Sequence, residues 1–249
     1  KENLDKFIVA PVGISLTLDS KKYNINLKSK LKSKDFNILY IGRFAKEKDL
    51  ILWVNTALIL CKNYSNIKFI LIGYGKEKYK VRNLINQSRF AYRFTLFNKV
   101  NYKDLPSFYS KSHILLFTSF YEGFGRVVLE AMIFGLPCIS TKSGGPEDLI
   151  KNNINGFLIG ERDPNLIAKK CEEIFLDKDK YELISNNAYK YANNNFNFRI
   201  LSNKFSQLIL DHKKEDKILM ISLGNDITTG KGKRTIDRHI KYANFSNVK

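Results

Sequence analysis

The chain has 249 residues, of which 42 are Lys or Arg and 24 are Asp or Glu, for a formal charge of +18, with 44% hydrophobic and 13% aromatic content. That apolar share excludes a mainly disordered chain, and the length suits one large α/β domain or one domain plus a fragment, because single cores stop growing near about 250 residues. The longest uncharged apolar stretches, such as Ala131 to Ser140, fall short of the roughly 18 to 20 residues that span a bilayer, so no transmembrane helix is expected.

From Phe36 onward, short runs rich in Ile, Leu and Phe alternate with segments of helical period. Predicted in chain order are a strand at Asn37 to Gly42, a helix at Leu50 to Cys61, a strand at Ile67 to Gly73 and a helix near Glu77 to Asn86. A strand at Phe94 to Asn98, a short helix around Leu105 to Ser110 and a strand at His113 to Thr118 follow. Next come a helix from about Phe124 to Phe134, a strand at Leu136 to Thr141, a short helix near Glu147 to Ile150 and a strand at Gly156 to Ile159. Helices then fill Pro164 to Phe175, Lys180 to Asn193 and Phe198 to Leu210. Continuous apolar strands are those buried on both faces, so the expectation is an α/β, Rossmann-like, doubly wound parallel sheet over residues 36–210.

Both ends depart from that pattern. Residues 1–35 carry a strand-like piece, Phe7 to Ile14, and a basic linker; residues 211–249 offer an apolar strand at Ile218 to Leu223, a polar loop and an amphipathic helix at Arg234 to Ala243. Strand, loop and helix of residues 211–249 together are expected to be the truncated start of a second Rossmann-like domain. The opening at Lys1 lacks a Met, a signal-peptide pattern and a lipidation signature, and reads as cut.

Lys outnumbers Arg by 33 to 9, and Asn (25) and Ile (27) are abundant, a bias that AT-rich coding also produces, so charge alone assigns no partner. The acid-free run from Lys21 to Lys34, with six lysines, is the best support for attraction to polyanions or to an anionic membrane face. No helix-turn-helix, zinc finger or RNP-type motif accompanies the charge, and no nucleic-acid partner is expected. The cysteines Cys61, Cys138 and Cys171 and the histidines His113, His212 and His239 are dispersed, which points to neither a disulfide framework nor a metal cluster and to a reducing, cytoplasmic setting.

Ligands of open α/β sheets bind beyond the carboxyl ends of the strands. The first such loop, Gly42 to Lys48, holds Arg43 and Lys48, a fork and a point charge suited to a diphosphate; an ordinary solvated helix start explains them as well. Gly73 to Lys76 holds a lone G-x-G, which is weak as a phosphate signal. The loop at Ser119 to Met132 is the most informative: Glu122 and Glu130 flank a helix start, and Phe124, Gly125, Arg126 and Val127 supply backbone N–H groups at its positive end. Were most of the intervening chain helical, the carboxylates would stand up to roughly 12 Å apart along the axis, matching the sugar and ribose ends of a nucleotide sugar. Gly123 and Gly125 would let a ligand approach the backbone. Singly, Glu122 reads better as a first-turn acid complementing the helix dipole and Glu130 as an exposed helical residue; the Gly-Phe-Gly between them and the downstream Gly144-Gly145 pair favour the functional reading.

The strings GRFAKEK, FILIGYGK, LPSFYSKSHILLFTSFYEGFGRVVLEAMIFGLPCISTKSGGPEDLI and NGFLI, in this order, resemble the C-terminal, donor-binding domain of GT-B glycosyltransferases of retaining family 4, over about Phe7 to Leu210. The resemblance implies that Arg43 and Lys48 bind the diphosphate in place of a metal, with no cofactor. It implies that Glu122, the first Glu of the E-x(7)-E element, is the catalytic or sugar-positioning group and that the backbone of Phe124, Gly125 and Arg126 faces the sugar and phosphates. It places Glu130 on the ribose hydroxyls and Lys99, Val100 and Asn101 near the base. Asp49 stands where the family has Gly, and His113 where Asp is common.

The implied activity is transfer of a hexose from a nucleoside-diphosphate sugar to a glycan or lipid-linked acceptor, retaining and metal-independent, by a basic cytoplasmic protein at the inner membrane face. The family's N-terminal acceptor domain is missing from these residues, so the chain is expected to bind donor better than it transfers sugar. The alternatives are a non-catalytic nucleotide or polyanion-binding remnant and a metal-dependent GT-A enzyme. The latter needs an Asp-x-Asp pair, and Asp177 and Asp179 sit instead in a charged stretch between two helices, as in a surface turn.

Overall fold

Six short apolar runs become six parallel strands: β1 (Phe36–Ile41), β2 (Ile67–Ile72), β3 (Phe94–Phe97), β4 (Ile114–Phe117), β5 (Cys138–Thr141) and β6 (Gly156–Ile159). The computed structural model describes Lys30 and residues 32–196. Between the strands run α1 (Leu50–Asn63), α2 (Lys78–Asn86), α3 (Leu105–Lys111), α4 (Arg126–Ile133) and α5 (Gly145–Leu149); α6 (Pro164–Leu176) and α7 (Lys178–Phe196) follow β6. The sheet order is β3-β2-β1-β4-β5-β6, the doubly wound Rossmann arrangement. The expected strands and helices from Phe36 to Asn193 are thus present, with ends moved by a few residues.

Burial explains the pattern that made these strands legible. Every residue of β4 (ILLF) and β5 (CIST) is buried, whereas the edge strand β3 has none fully covered. β5 starts at Cys138 rather than Leu136: Pro137 has no N–H for the ladder, and its carbonyl accepts the Leu115 N–H at 3.0 Å. Trp53 of α1 is fully buried against β1 and donates its indole N–H to the Leu116 carbonyl at 3.0 Å, so its polar tip is satisfied inside the core.

Helix starts follow local chemistry. Asp49 caps α1 by accepting the Leu52 N–H, and Asp163 caps α6 by accepting the Asn165 N–H just before Pro164 at the first turn. Asp177 accepts the Lys180 N–H at the turn between α6 and α7, so the Asp-x-Asp pair lies at a helix junction, as its charged context implied. The three cysteines are free and buried; burial raises the thiol pKa of Cys138 and Cys171 and pushes Cys61 up to about 11.

The Phe7 to Ile14 segment, the Phe198 to Leu210 helix and the strand and helix expected after Lys217 lie outside the described residues. Among the described residues no helix is long and apolar enough to cross a membrane.

Candidate active site

Strand order reverses between β1 and β4, which pair in parallel, so the loops that follow them, Gly42 to Asp49 and Thr118 to Gly125, emerge side by side at the carboxyl edge. Backbone contacts lock them together. The Phe120 N–H donates to the Glu47 carbonyl at 2.7 Å, and the Thr118 hydroxyl reaches the carbonyls of Lys48 at 3.0 Å and Asp49 at 3.1 Å.

Lys48 and Glu122 meet across this junction. The ammonium of Lys48 donates to Glu122 Oε2 at 2.6 Å, with the two side chains only 11% and 15% exposed. Arg43 points outward instead and pairs with Glu47 at 2.8 Å on the surface, while its carbonyl accepts the Tyr40 hydroxyl. The two expected diphosphate cations therefore share a loop but hold different carboxylates.

Asp49 explains why its position suits Gly: it has φ +43° and ψ +57°, the left-handed region, which Asp tolerates better than most residues. Its carboxylate is divided. Oδ1 accepts the Leu52 N–H and Oδ2 binds Arg162 at 2.6 Å.

Glu122 is pinned by its backbone, whose N–H donates to the Ser143 carbonyl and whose carbonyl accepts the Gly145 N–H, both at 2.7 Å. A Cβ on Gly145 would lie 2.3 Å from the Phe124 backbone, so the Gly144-Gly145 pair serves close chain packing beneath the Glu122 loop. Gly125 has φ +81°, a conformation that favours Gly, and a Cβ there would meet Pro146 at 3.4 Å. The turn into α4 by itself calls for Gly at this position, whatever lies beside its backbone. The space beside Gly123 is open.

The turn at Gly125 also moves the helix start from Phe124 to Arg126. Only Arg126 to Glu130 is helical between the two glutamates, about 6 Å of rise, so the sequence-based 12 Å estimate does not hold. Gly125 offers no capping side chain, and the first-turn N–H groups of Arg126 and Val127 have no intrahelical acceptor.

Glu130 is 3% exposed, which excludes the surface alternative. Its carboxylate accepts from the Tyr109 hydroxyl at 2.7 Å, the Tyr102 hydroxyl at 3.1 Å and Arg126 Nε at 2.9 Å. Burial, and then the Glu130 charge, raise the pKa of both phenols, holding them as donors. Tyr109 is fully buried and stacked on Phe134, whereas Arg126 is exposed and lies over the Tyr102 ring at 5.2 Å. The open side of this carboxylate is therefore covered by Arg126 and the half-buried Tyr102.

Lys99 and Asn101 are exposed and Val100 half-buried in the loop after β3; contact between that stretch and Glu130 runs through the next residue, Tyr102. Sequence reasoning missed Tyr102, Tyr109 and Arg162. The one available signal was that Tyr102 directly follows Asn101; the contacts of all three join residues far apart in the chain. His113 is a core residue: Nδ1 accepts the Asn37 N–H at 2.9 Å, Nε2 faces the Lys30 carbonyl at 3.0 Å, and the ring stacks on Phe36.

The family model of the glycosyl transferases group 1 matches residues 22–191. The chain belongs to the group 1 glycosyltransferases. A curated relative, the capsular polysaccharide biosynthesis glycosyltransferase CapM of Staphylococcus aureus, is 28% identical over 226 residues, covering 87% of this chain and 58% of that protein. HepE of Anabaena, solved in complex with UDP and glucose, superimposes with a TM-score of 0.63 at 22% identity, over 80% of this chain and 53% of that one. The C-terminal domain of a glycosyl transferase group 1 family protein, LpcC of Francisella tularensis, gives 0.61 at 21% identity, over 76% of this chain and 97% of that domain. Its solved neighbours are thus GT-B enzymes in fold. The chain spans 37% to 58% of the length of the first curated glycosyltransferases that it matches.

Proposed function

We propose that this chain is the donor-binding half of a retaining, metal-independent glycosyltransferase that moves a hexose from a nucleoside-diphosphate sugar to a glycan or lipid-linked acceptor. The observation that carries the reading is the 2.6 Å Lys48–Glu122 pair at the point of strand reversal, beside the uncapped start of α4. HepE was solved with UDP and glucose, and CapM is named for capsular polysaccharide synthesis; both support a nucleotide-sugar donor and a glycan product.

Donor binding exchanges partners. The diphosphate takes Lys48, joined by Arg43 swinging from Glu47 and by the N–H groups at the start of α4. Glu122 is then released to the transferred sugar, where its carboxylate orients hydroxyls and offsets positive charge developing at the anomeric carbon. The bond from that carbon to the diphosphate oxygen breaks as the bond to the acceptor oxygen forms on the same face, and the acceptor's proton passes to the departing diphosphate. Lys48, Arg43 and the helix start stabilise the leaving group's growing charge. Glu130 receives the ribose hydroxyls once Arg126 and Tyr102 move aside, and Lys99, Val100 and Asn101 border the base. The acid-free run of six lysines from Lys21 to Lys34 supports peripheral contact with an anionic membrane face.

Calorimetric titration of the 249-residue chain with UDP, GDP and ADP tests the reading. Preference for one base is expected. Equal binding of all three would favour the polyanion-binding alternative.

A further inference from the structure

We propose that Arg162 is a positioning residue for the donor site, fixing the distance between the Lys48 loop and the Glu122 loop although none of its own contacts is with those two side chains. The assignment rests on the donor-site reading above.

Arg162 lies after β6, remote in sequence from both loops, and its guanidinium reaches across to hold them. One terminal nitrogen bonds both Asp49 Oδ2 and the Thr118 carbonyl at 2.6 Å, and the other bonds the Ser119 carbonyl at 3.1 Å. Its plane lies over the Phe120 ring at 3.7 Å. A planar fork with several donors can bridge three acceptors on two loops at once, which a lysine ammonium cannot do with the same rigidity.

Both ends of this bridge abut the site. Asp49 directly follows Lys48 in a left-handed conformation that aims the chain into α1, and Ser119 lies three residues before Glu122. Ser119 is held on its far side as well, because its carbonyl also accepts the Thr141 hydroxyl at 2.8 Å. A Gly at position 49 would satisfy the backbone equally well but would leave Arg162 without its carboxylate. The Asp49–Arg162 pair therefore ties the cation loop to the carboxylate loop in a way that backbone geometry alone does not require.

If Arg162 acts by placing Lys48, its removal should matter only while Lys48 is present. The test is a double-mutant cycle of Arg162→Ala and Lys48→Ala in the 249-residue chain. It is read by calorimetry with UDP, or with GDP or ADP if either binds more tightly, alongside thermal unfolding. The expected result is an affinity loss of about tenfold for Arg162→Ala in the Lys48 background and less than about twofold in the Lys48→Ala background. Asp49→Asn, which keeps the left-handed residue and the cap on α1 while removing the charge, should show a smaller loss confined in the same way, and serves if Arg162→Ala does not fold. Equal losses in both backgrounds would reduce Arg162 to a stabilising role, and no loss in either would also overturn the assignment. Failure of the unmodified chain to bind any of the three nucleotides would overturn the donor-site reading itself and be recognised as such.

Discussion

Lys48 and Glu122, 74 positions apart in the chain, face each other at 2.6 Å in a mostly covered site. Each neutralises the other before a diphosphate arrives, which offsets part of the cost of holding two mostly covered charges. Glu122 therefore competes with the diphosphate for Lys48. Glu122→Gln is expected to tighten nucleoside diphosphate binding about two- to fivefold by weakening that competitor, while Lys48→Ala lowers it by about tenfold or more. Isothermal titration of both variants checks the pair of opposite signs.

The carboxylate of Glu130 depends on its three donors. Tyr109→Phe removes the buried one and is expected to cost about 1 to 3 kcal/mol of folding stability, because the oxygen it leaves has no water to turn to. Tyr102→Phe, at the half-exposed position, should cost less. Urea unfolding of the two variants distinguishes the positions.

Acid stability should report His113. Burial and the Lys30 charge hold its pKa down to about 4, below the value of about 6.5 in an unfolded chain. The folded imidazole thus stays neutral while the unfolded one protonates, so its contribution is fully present above pH 6.5 and is lost as pH falls towards 4. The loss is at most about 3 kcal/mol. Lys30, the charged neighbour, has its amine held down to about 7 by burial, so at pH 6 and below it is mainly protonated in both states and contributes little to the slope. Unfolding free energies at pH 6 and pH 4.5 should differ in the unmodified chain and differ less in His113→Gln.

Gly145→Ala places a methyl group 2.3 Å from the Phe124 backbone. The expected cost is about 1 to 3 kcal/mol, with a loss of nucleotide binding because the Glu122 loop shifts with Phe124. Gly123→Ala, where the added carbon meets open space, should leave stability within about 0.5 kcal/mol.

The fold was legible because strands such as ILLF are apolar on both faces and are bounded by helical segments of clear period. The site was legible as a set of loops and less so as a set of contacts. Arg43, Lys48, Glu122 and the start of α4 were placed at the correct sheet edge by the rule for open α/β sheets. That Lys48 pairs with Glu122, that Arg43 turns to Glu47 and that Glu130 is enclosed by two tyrosines are tertiary facts with no local pattern. The helix start at Arg126 was misjudged by two residues because a Gly in a run of good helix formers gives no sign of whether it lies inside the helix or caps it. Asp49 reads as a departure from a glycine position, and only the left-handed backbone and the Arg162 contact give its reason.

Titration of the chain with its preferred nucleoside diphosphate at low and moderate salt, beside Lys48→Ala and Glu130→Ala, tests the donor site most directly. Binding that persists at moderate salt and falls about tenfold or more in both variants is the predicted result. Binding that disappears with salt and is indifferent to both substitutions would contradict the account and leave a basic surface in its place.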